Sequence, residues 1–124
     1  MKIAVSSSGE TIDHPVDIRF GRAPYFIIVD GDEVEVIKNE NIHGAGGVGI
    51  TTAQMIAEKN VEVVISGNFG PKAFNVLSSA GIKMYSTSGE TVSEALESFK
   101  KGELKQIDDI YKAPRRFGKG MRGL

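Results

Sequence analysis

The residues that could do chemistry are few and fall in short runs. His14 and His43 are the only histidines, and the 124-residue chain contains no Cys. Without thiolates there is no Cys-held zinc or iron–sulfur centre, no disulfide and no thiol nucleophile; any metal would be held by His43, by His14, by carboxylates or by a partner. Neutral imidazole ligates iron and molybdenum-type centres, although a single loop histidine more often only hydrogen-bonds in solvent. Arg19 and Arg22 precede an apolar run. Their fork-shaped cations suit a carboxylate, a phosphate or the sulfide-rich face of an anionic cluster, or else they pair with acidic surface. Two glycine-rich runs, Gly44-Ala45-Gly46-Gly47 and Gly67-Asn68-Phe69-Gly70-Pro71, each stand before a helical pattern. Glycines let backbone amides approach a ligand closely, and a helix start presents unpaired N–H groups with partial positive charge, so such runs favour an anion. The first run lacks both the Lys-Ser/Thr of a P-loop and the spacing of a dinucleotide fingerprint.

Catalysis has little to draw on. A two-metal nuclease needs carboxylates on its central strand, and the first strand reads Ile3-Ala4-Val5-Ser6 without one. Ser6, Ser7 and Ser8 lack the G-x-S-x-G elbow of a serine nucleophile. Glu10, Asp13 and Asp17 fall in a polar loop, where carboxylates are expected to be solvated. A binding or carrier role follows better than an enzyme.

The elements that position these residues can be read from periodicity. Residues 2–7 form an apolar run that reads as a buried strand, and 24–29 and 34–38 are β-rich runs joined by Asp30-Gly31-Asp32, a strong hairpin signal. Residues 47–59 place Ile50, Ala53, Ile56 and Ala57 at helical spacing, with Asn60 as a left-handed cap. Residues 61–66 read as a strand covered on both faces. A second helix starts at Pro71 with Ala73, Val76, Leu77 and Ala80 on one face and closes at Gly81; a fifth strand covers 82–85. Thr91-Val92-Ser93-Glu94 is a capping box opening a third helix that buries Val92, Ala95, Leu96 and Phe99 and ends at Gly102. Met55 reads as a packing residue.

The second half is a βαβ unit with parallel strands. With the apolar strands one and four central, the expectation is a five-stranded mixed sheet in the order 3-2-1-4-5 flanked by three helices, the α/β ribonuclease-H-like arrangement. Strand directions then send segments 6–9, 10–18, 19–23, 44–49, 67–70 and 87–91 to one edge, where open α/β sheets bind ligands.

Charge is divided. Lys112, Arg115, Arg116, Lys119 and Arg122 lie in residues 112–124 with no acid, so a body of −6 carries a tail of +5. A wholly basic nucleic-acid-binding domain is disfavoured. No apolar run reaches the roughly 20 residues of a membrane span and no signal peptide opens the chain, which implies a cytoplasmic protein.

The runs Arg19-Phe20-Gly21-Arg22-Ala23-Pro24-Tyr25-Phe26, His43-Gly44-Ala45-Gly46, Thr52-Ala53-Gln54-Met55-Ile56-Ala57, Val63-Val64-Ile65-Ser66-Gly67-Asn68-Phe69-Gly70-Pro71-Lys72-Ala73-Phe74 and Ala80-Gly81-Ile82-Lys83-Met84-Tyr85 closely resemble the dinitrogenase iron-molybdenum cofactor biosynthesis family. That family comprises the NifX and NafY-type accessory proteins and the C-terminal domain of NifB. The resemblance covers about residues 1 to 105 and implies a ribonuclease-H-like fold. It also implies a non-enzymatic carrier for an iron-molybdenum or iron-sulfur cofactor or precursor as transient cargo, with metallocluster assembly proteins as partners and no nucleic acid or membrane. The expected cofactor-binding residues are Arg19, Arg22, His43, Gly44, Gly46, Gly47, Asn68 and Gly70, with His43 or His14 as metal ligand. Family members commonly have His where Arg19 stands; a guanidinium does not ligate metal, which leaves Arg19 as a charge facing the cluster. Residues 1–111 are expected to form this domain and 112–124 a basic, Gly-rich flexible tail resembling that of short stand-alone relatives, with docking to an acidic partner as one role for it. The same amides would also serve a binding module for a phosphorylated small molecule or nucleotide.

Overall fold

The computed structural model describes residues 1–43 and 47–108, with only the backbone of His43. The glycine run 44–46 and the basic tail lie outside the described residues. Strand β1 (Lys2–Ser7) is buried beyond Lys2, because helices cover both faces of the sheet it runs through. β2 (Tyr25–Asp30) and β3 (Glu33–Lys38) form an antiparallel hairpin in register from Tyr25↔Lys38 to Asp30↔Glu33. Its two-residue turn needs a left-handed residue, and Gly31 supplies φ 64°.

A 3-10 turn (Glu40–His43) follows, then α1 (Val48–Ala57), β4 (Val63–Ser66), α2 (Pro71–Ser79), β5 (Lys83–Ser86), α3 (Val92–Lys100) and β6 (Lys105–Ile107). The sheet order is β3-β2-β1-β4-β5-β6. β1 pairs antiparallel with β2 and parallel with β4, which in turn is parallel to β5. Alternate strand residues feed two cores. Ala4, Phe26, Ile28, Val64 and Met84 pack with Ala53 and Ile56 of α1 and Ala73, Phe74 and Leu77 of α2. Ile3, Val5, Ile27, Val63 and Ile65 pack with Val92, Ala95 and Leu96 of α3 on the other face. Each fully buried Leu, Ile or Phe stabilises the fold by about 1.5–3 kcal/mol relative to exposure.

The sheet has six strands where five were expected. β6 adds antiparallel to β5 through Met84↔Ile107 to Ser86↔Lys105, and of its three residues only Ile107 is buried; a single apolar position gives no period to read. α1 also stops earlier than the pattern implied. Lys59 and Asn60 donate to the carbonyls of Ile56 and Ala57, a tightened final turn, and Asn60 takes the left-handed φ of 60° expected of it.

Candidate functional site

The long segment between β1 and β2 is stitched to the rim of the sheet. Ser8 N–H donates to Pro15 O (3.0 Å), Asp17 N–H to Ser6 O (3.0 Å) and Val16 N–H to Glu90 O (2.9 Å). Ser6 and Ser66, buried at the ends of β1 and β4, place their hydroxyls 2.7 Å apart, and Ser6 Oγ lies 2.7 Å from Asp17 O. The chain then runs beside the turn after β4: Asn68 N–H donates to Ile18 O (2.7 Å) and Phe20 N–H to Asn68 O (3.2 Å). Gly67 makes this approach feasible, since a Cβ there would lie 2.5 Å from Ile18 Cα. Phe20, 1% exposed, fixes the arrangement from below, with ring centroids 5.2 Å from Phe26 and 5.4 Å from Phe69. The arginine segment and the Asn68 turn therefore share one edge of the sheet.

The two arginines differ. Arg19 Nε lies 3.4 Å from Asp17 Oδ1, which also accepts the Arg19 N–H at 2.9 Å. Asp17, expected to be solvated, is 9% exposed, because its backbone is tied down between β1 and β4 and its carboxylate caps the turn. Arg22 instead donates from Nη1 to Ile42 O at 2.7 Å, and among the described residues it forms no ion pair, so its charge is left uncancelled. Its loop is held by Asn39, 1% exposed, whose Nδ2 donates to Ala23 O (2.9 Å) and Gly21 O (3.3 Å). Thr52 of α1 donates to Gly21 O at 3.1 Å. Gly21 also lies against the start of α1, where an added Cβ would be 3.0 Å from Gly49 Cα.

The three helix starts are not equivalent. At α3 the chain satisfies its own amides: Val92 N–H donates to His14 O, Ser93 N–H to Ile12 O and Glu94 N–H to Thr91 Oγ1, with the Glu94 carboxylate returning to Thr91 N–H. α1 and α2 begin after Gly47 (φ 69°) and Gly70, without a side-chain cap and without an acid in the first turn. They pack side by side on one face, so two uncapped starts carrying partial positive charge flank the Arg22 loop. Of the expected site residues, Arg19, Arg22, Gly47, Asn68 and Gly70 thus meet at one rim. His43 ends the 3-10 turn next to Ile42, with its side chain outside the described residues, as are Gly44 and Gly46. His14 does not join them. It sits on the α3 side, where its Nδ1 lies 3.2 Å from Thr11 N and 2.9 Å from Thr11 Oγ1, and its ring lies against Gly9.

Glu10 stands near Tyr25 at the start of β2, and hydrogen bonding to its carboxylate, then its charge, with a smaller contribution from burial, raises that phenol above its ordinary value. Cavities of about 420 and 450 Å3 lie away from the rim, the first beneath β4 and β5 around Val61 and Ile82, the second under the hairpin at Lys2 and Glu33. The sequence pattern assigns no site role to Asn39, Thr52 or Ser66, and it places Asp17 in solvent. Serines closing apolar strands are a weak signal for Ser66, and Asn39 gives none. Among the described residues no three His, Asp or Glu side chains gather to hold a metal ion, and no helix is long and apolar enough to cross a membrane.

The sequence profile of the family described as dinitrogenase iron-molybdenum cofactor matches residues 1–102. The chain belongs to that family. An uncharacterised protein of Methanocaldococcus jannaschii is 35% identical over 94 residues, covering 72% of this chain and 80% of its own. Among solved structures, the apo form of the orange protein from Desulfovibrio gigas superposes with a TM-score of 0.83 at 37% identity, over 86% of this chain and 92% of that one. The NMR structure of a provisionally named NifB protein from Thermotoga gives 0.73 at 38% identity, over 85% and 91%. The family's matched span ends before β6, which joins the sheet beyond residue 102.

Proposed function

We propose that this chain is a non-catalytic carrier in metallocluster assembly. It seats an iron-molybdenum or iron-sulfur cluster, or a precursor, as transient cargo at the rim formed by the starts of α1 and α2 and the Arg22 loop. The observation that carries the site is the contrast among helix starts: α3 is closed by its own chain, whereas α1 and α2 open on glycines with no acid beside them. Metal–sulfur clusters are anionic, and their sulfides accept hydrogen bonds from amide and guanidinium N–H groups. Contacts of this kind are reversible, as a carrier requires, and with no Cys in the chain the cluster is not anchored by thiolate. In this reading Arg22 supplies the uncancelled charge, Arg19 a partly neutralised one, and Gly44, Gly46, Gly47, Asn68 and Gly70 bring backbone amides close. His43, whose backbone ends the turn beside Ile42, is the proposed metal ligand, and His14, on the other side of the sheet, is the weaker candidate. Assembly proteins that donate and accept the cluster are the partners.

The test is an anaerobic titration of the protein with tetrathiomolybdate, the simplest molybdenum–sulfur anion, and with isolated cofactor, followed by absorbance. Binding is expected, weakened in Arg22→Ala and His43→Ala, and falling as salt rises. Unchanged affinity in both variants removes the site. Anaerobically purified protein that carries neither iron nor molybdenum but gains thermal stability with nucleotide would replace the carrier reading with a phosphate-binding one.

A further inference from the structure

We infer that Asn39 is a positioning residue that locks the Arg22 loop and the 3-10 turn leading to His43 into one rigid wall of the rim; this rests on the carrier reading. The carboxamide is 1% exposed and works at both ends. Its Nδ2 faces the carbonyls of Ala23 (2.9 Å) and Gly21 (3.3 Å) and the Thr52 hydroxyl (3.4 Å), while its Oδ1 accepts from Asn41 N–H (3.2 Å) and Asn41 Nδ2 (3.1 Å). The two carbonyls fix which end is nitrogen, because an oxygen facing them would find no hydrogen. The site therefore demands a donor on one side and an acceptor on the other, at a fixed separation. Asp offers no donor while ionised, Leu offers neither, and Ser is too short to span both.

The clamp bridges segments roughly 20 residues apart in sequence, and the chemistry on either side depends on it. Arg22 lies between the two carbonyl groups that Asn39 holds, and Ile42 and His43 follow directly from the Asn41 that it binds. The backbone also ties the segments where Asn39 N–H donates to Pro24 O at 2.8 Å, but beyond that point the side-chain link from Arg22 Nη1 to Ile42 O at 2.7 Å is exposed to solvent, where competition from water leaves it little strength. A buried, fully satisfied carboxamide holds its partners far more firmly. Without the carboxamide only the backbone bond at Pro24 and the hairpin hold the two segments, Arg22 and the turn leading to His43 gain freedom, and a ligand must order both on binding.

The effect is read in two ways. In tetrathiomolybdate titrations, Asn39→Ala weakens binding about tenfold, yet added to the Arg22→Ala/His43→Ala double variant it costs no more than about twofold, because it acts through those two residues. In amide hydrogen exchange without any ligand, Asn39→Ala speeds the amides of both Arg22 and His43 about tenfold while Val64 in β4 keeps its wild-type rate. Thr52→Val, which removes one donor to Gly21 O, gives the same pattern at about threefold and serves if Asn39→Ala does not fold. Additive losses in the triple variant, acceleration confined to one loop, or acceleration spreading equally to Val64 would each overturn the assignment. If the wild-type protein binds no tetrathiomolybdate, the carrier reading falls, and the exchange rates alone decide the clamp.

Discussion

At Gly67 two backbone segments of the rim approach closely, and replacing it tests whether that closure holds the two walls together. An alanine Cβ at position 67 would lie 2.5 Å from Ile18 Cα, 2.7 Å from Ile18 Cβ and 2.9 Å from Ile18 O, where unstrained carbon contacts need about 3.5–4.0 Å. The obstacle is backbone, so no side-chain rotation relieves it; the segments must part by about 1 Å. That carries the Asn68 N–H bond to Ile18 O, now 2.7 Å, and the Phe20 N–H bond to Asn68 O, now 3.2 Å, beyond hydrogen-bonding range. Two lost bonds cost about 1 kcal/mol each, and disturbed packing of Phe20 on Phe69 adds about 1 more, for a total of about 3 kcal/mol. At this chain length the melting temperature should fall by about 10–15 °C. Gly70→Ala is the matched control: nothing lies within 4 Å of its added Cβ and its φ is −71°. The weaker N-cap is offset by a less flexible unfolded chain, leaving a change below about 0.5 kcal/mol. Urea denaturation of both variants measures this, and a Gly67→Ala stability within about 0.5 kcal/mol of wild type refutes the close-approach argument.

Arg22→Ala should weaken tetrathiomolybdate binding more than Arg19→Ala does, since Asp17 already neutralises part of the Arg19 charge; equal losses in parallel titrations would contradict this. Thr91→Ala should destabilise the fold by about 1 kcal/mol by opening the capping box, seen in thermal melts, while leaving tetrathiomolybdate affinity unchanged because α3 lies on the opposite face. The raised phenol of Tyr25 works in the alkaline limb. A proton held more tightly in the folded state contributes stability that is complete below the unfolded tyrosine pKa of about 10 and is lost as pH rises through the higher folded value. Glu10→Gln should therefore lower the Tyr25 titration midpoint, followed by phenolate absorbance, and a midpoint that stays or rises would exclude Glu10 as the cause.

Residue order by itself determines a good deal of this fold. The apolar run of β1, the Asp-Gly turn, Pro71 at a helix start and the Thr91 capping box are local signals, each recording a choice the backbone makes with its near neighbours. With the rule that βαβ units run parallel, they are enough to give the order of five strands and to send the arginine loop and the Asn68 turn to one edge. β6 was illegible because three residues with one buried position carry no period, and a strand that short exists only by pairing with β5.

What only the tertiary structure decided is which of the rim's features remain available to a ligand. Glycines before a helix look alike in sequence. Gly67 is in fact committed to the approach of Ile18, and the start of α3 is consumed by carbonyls from residues 12 and 14. The sequence likewise could not separate Arg19 from Arg22, nor show that Asn39 reaches back to Gly21 and Ala23. Hydrogen-bond satisfaction and cancellation of charge depend on partners distant along the chain, and a linear pattern holds no record of distances in space.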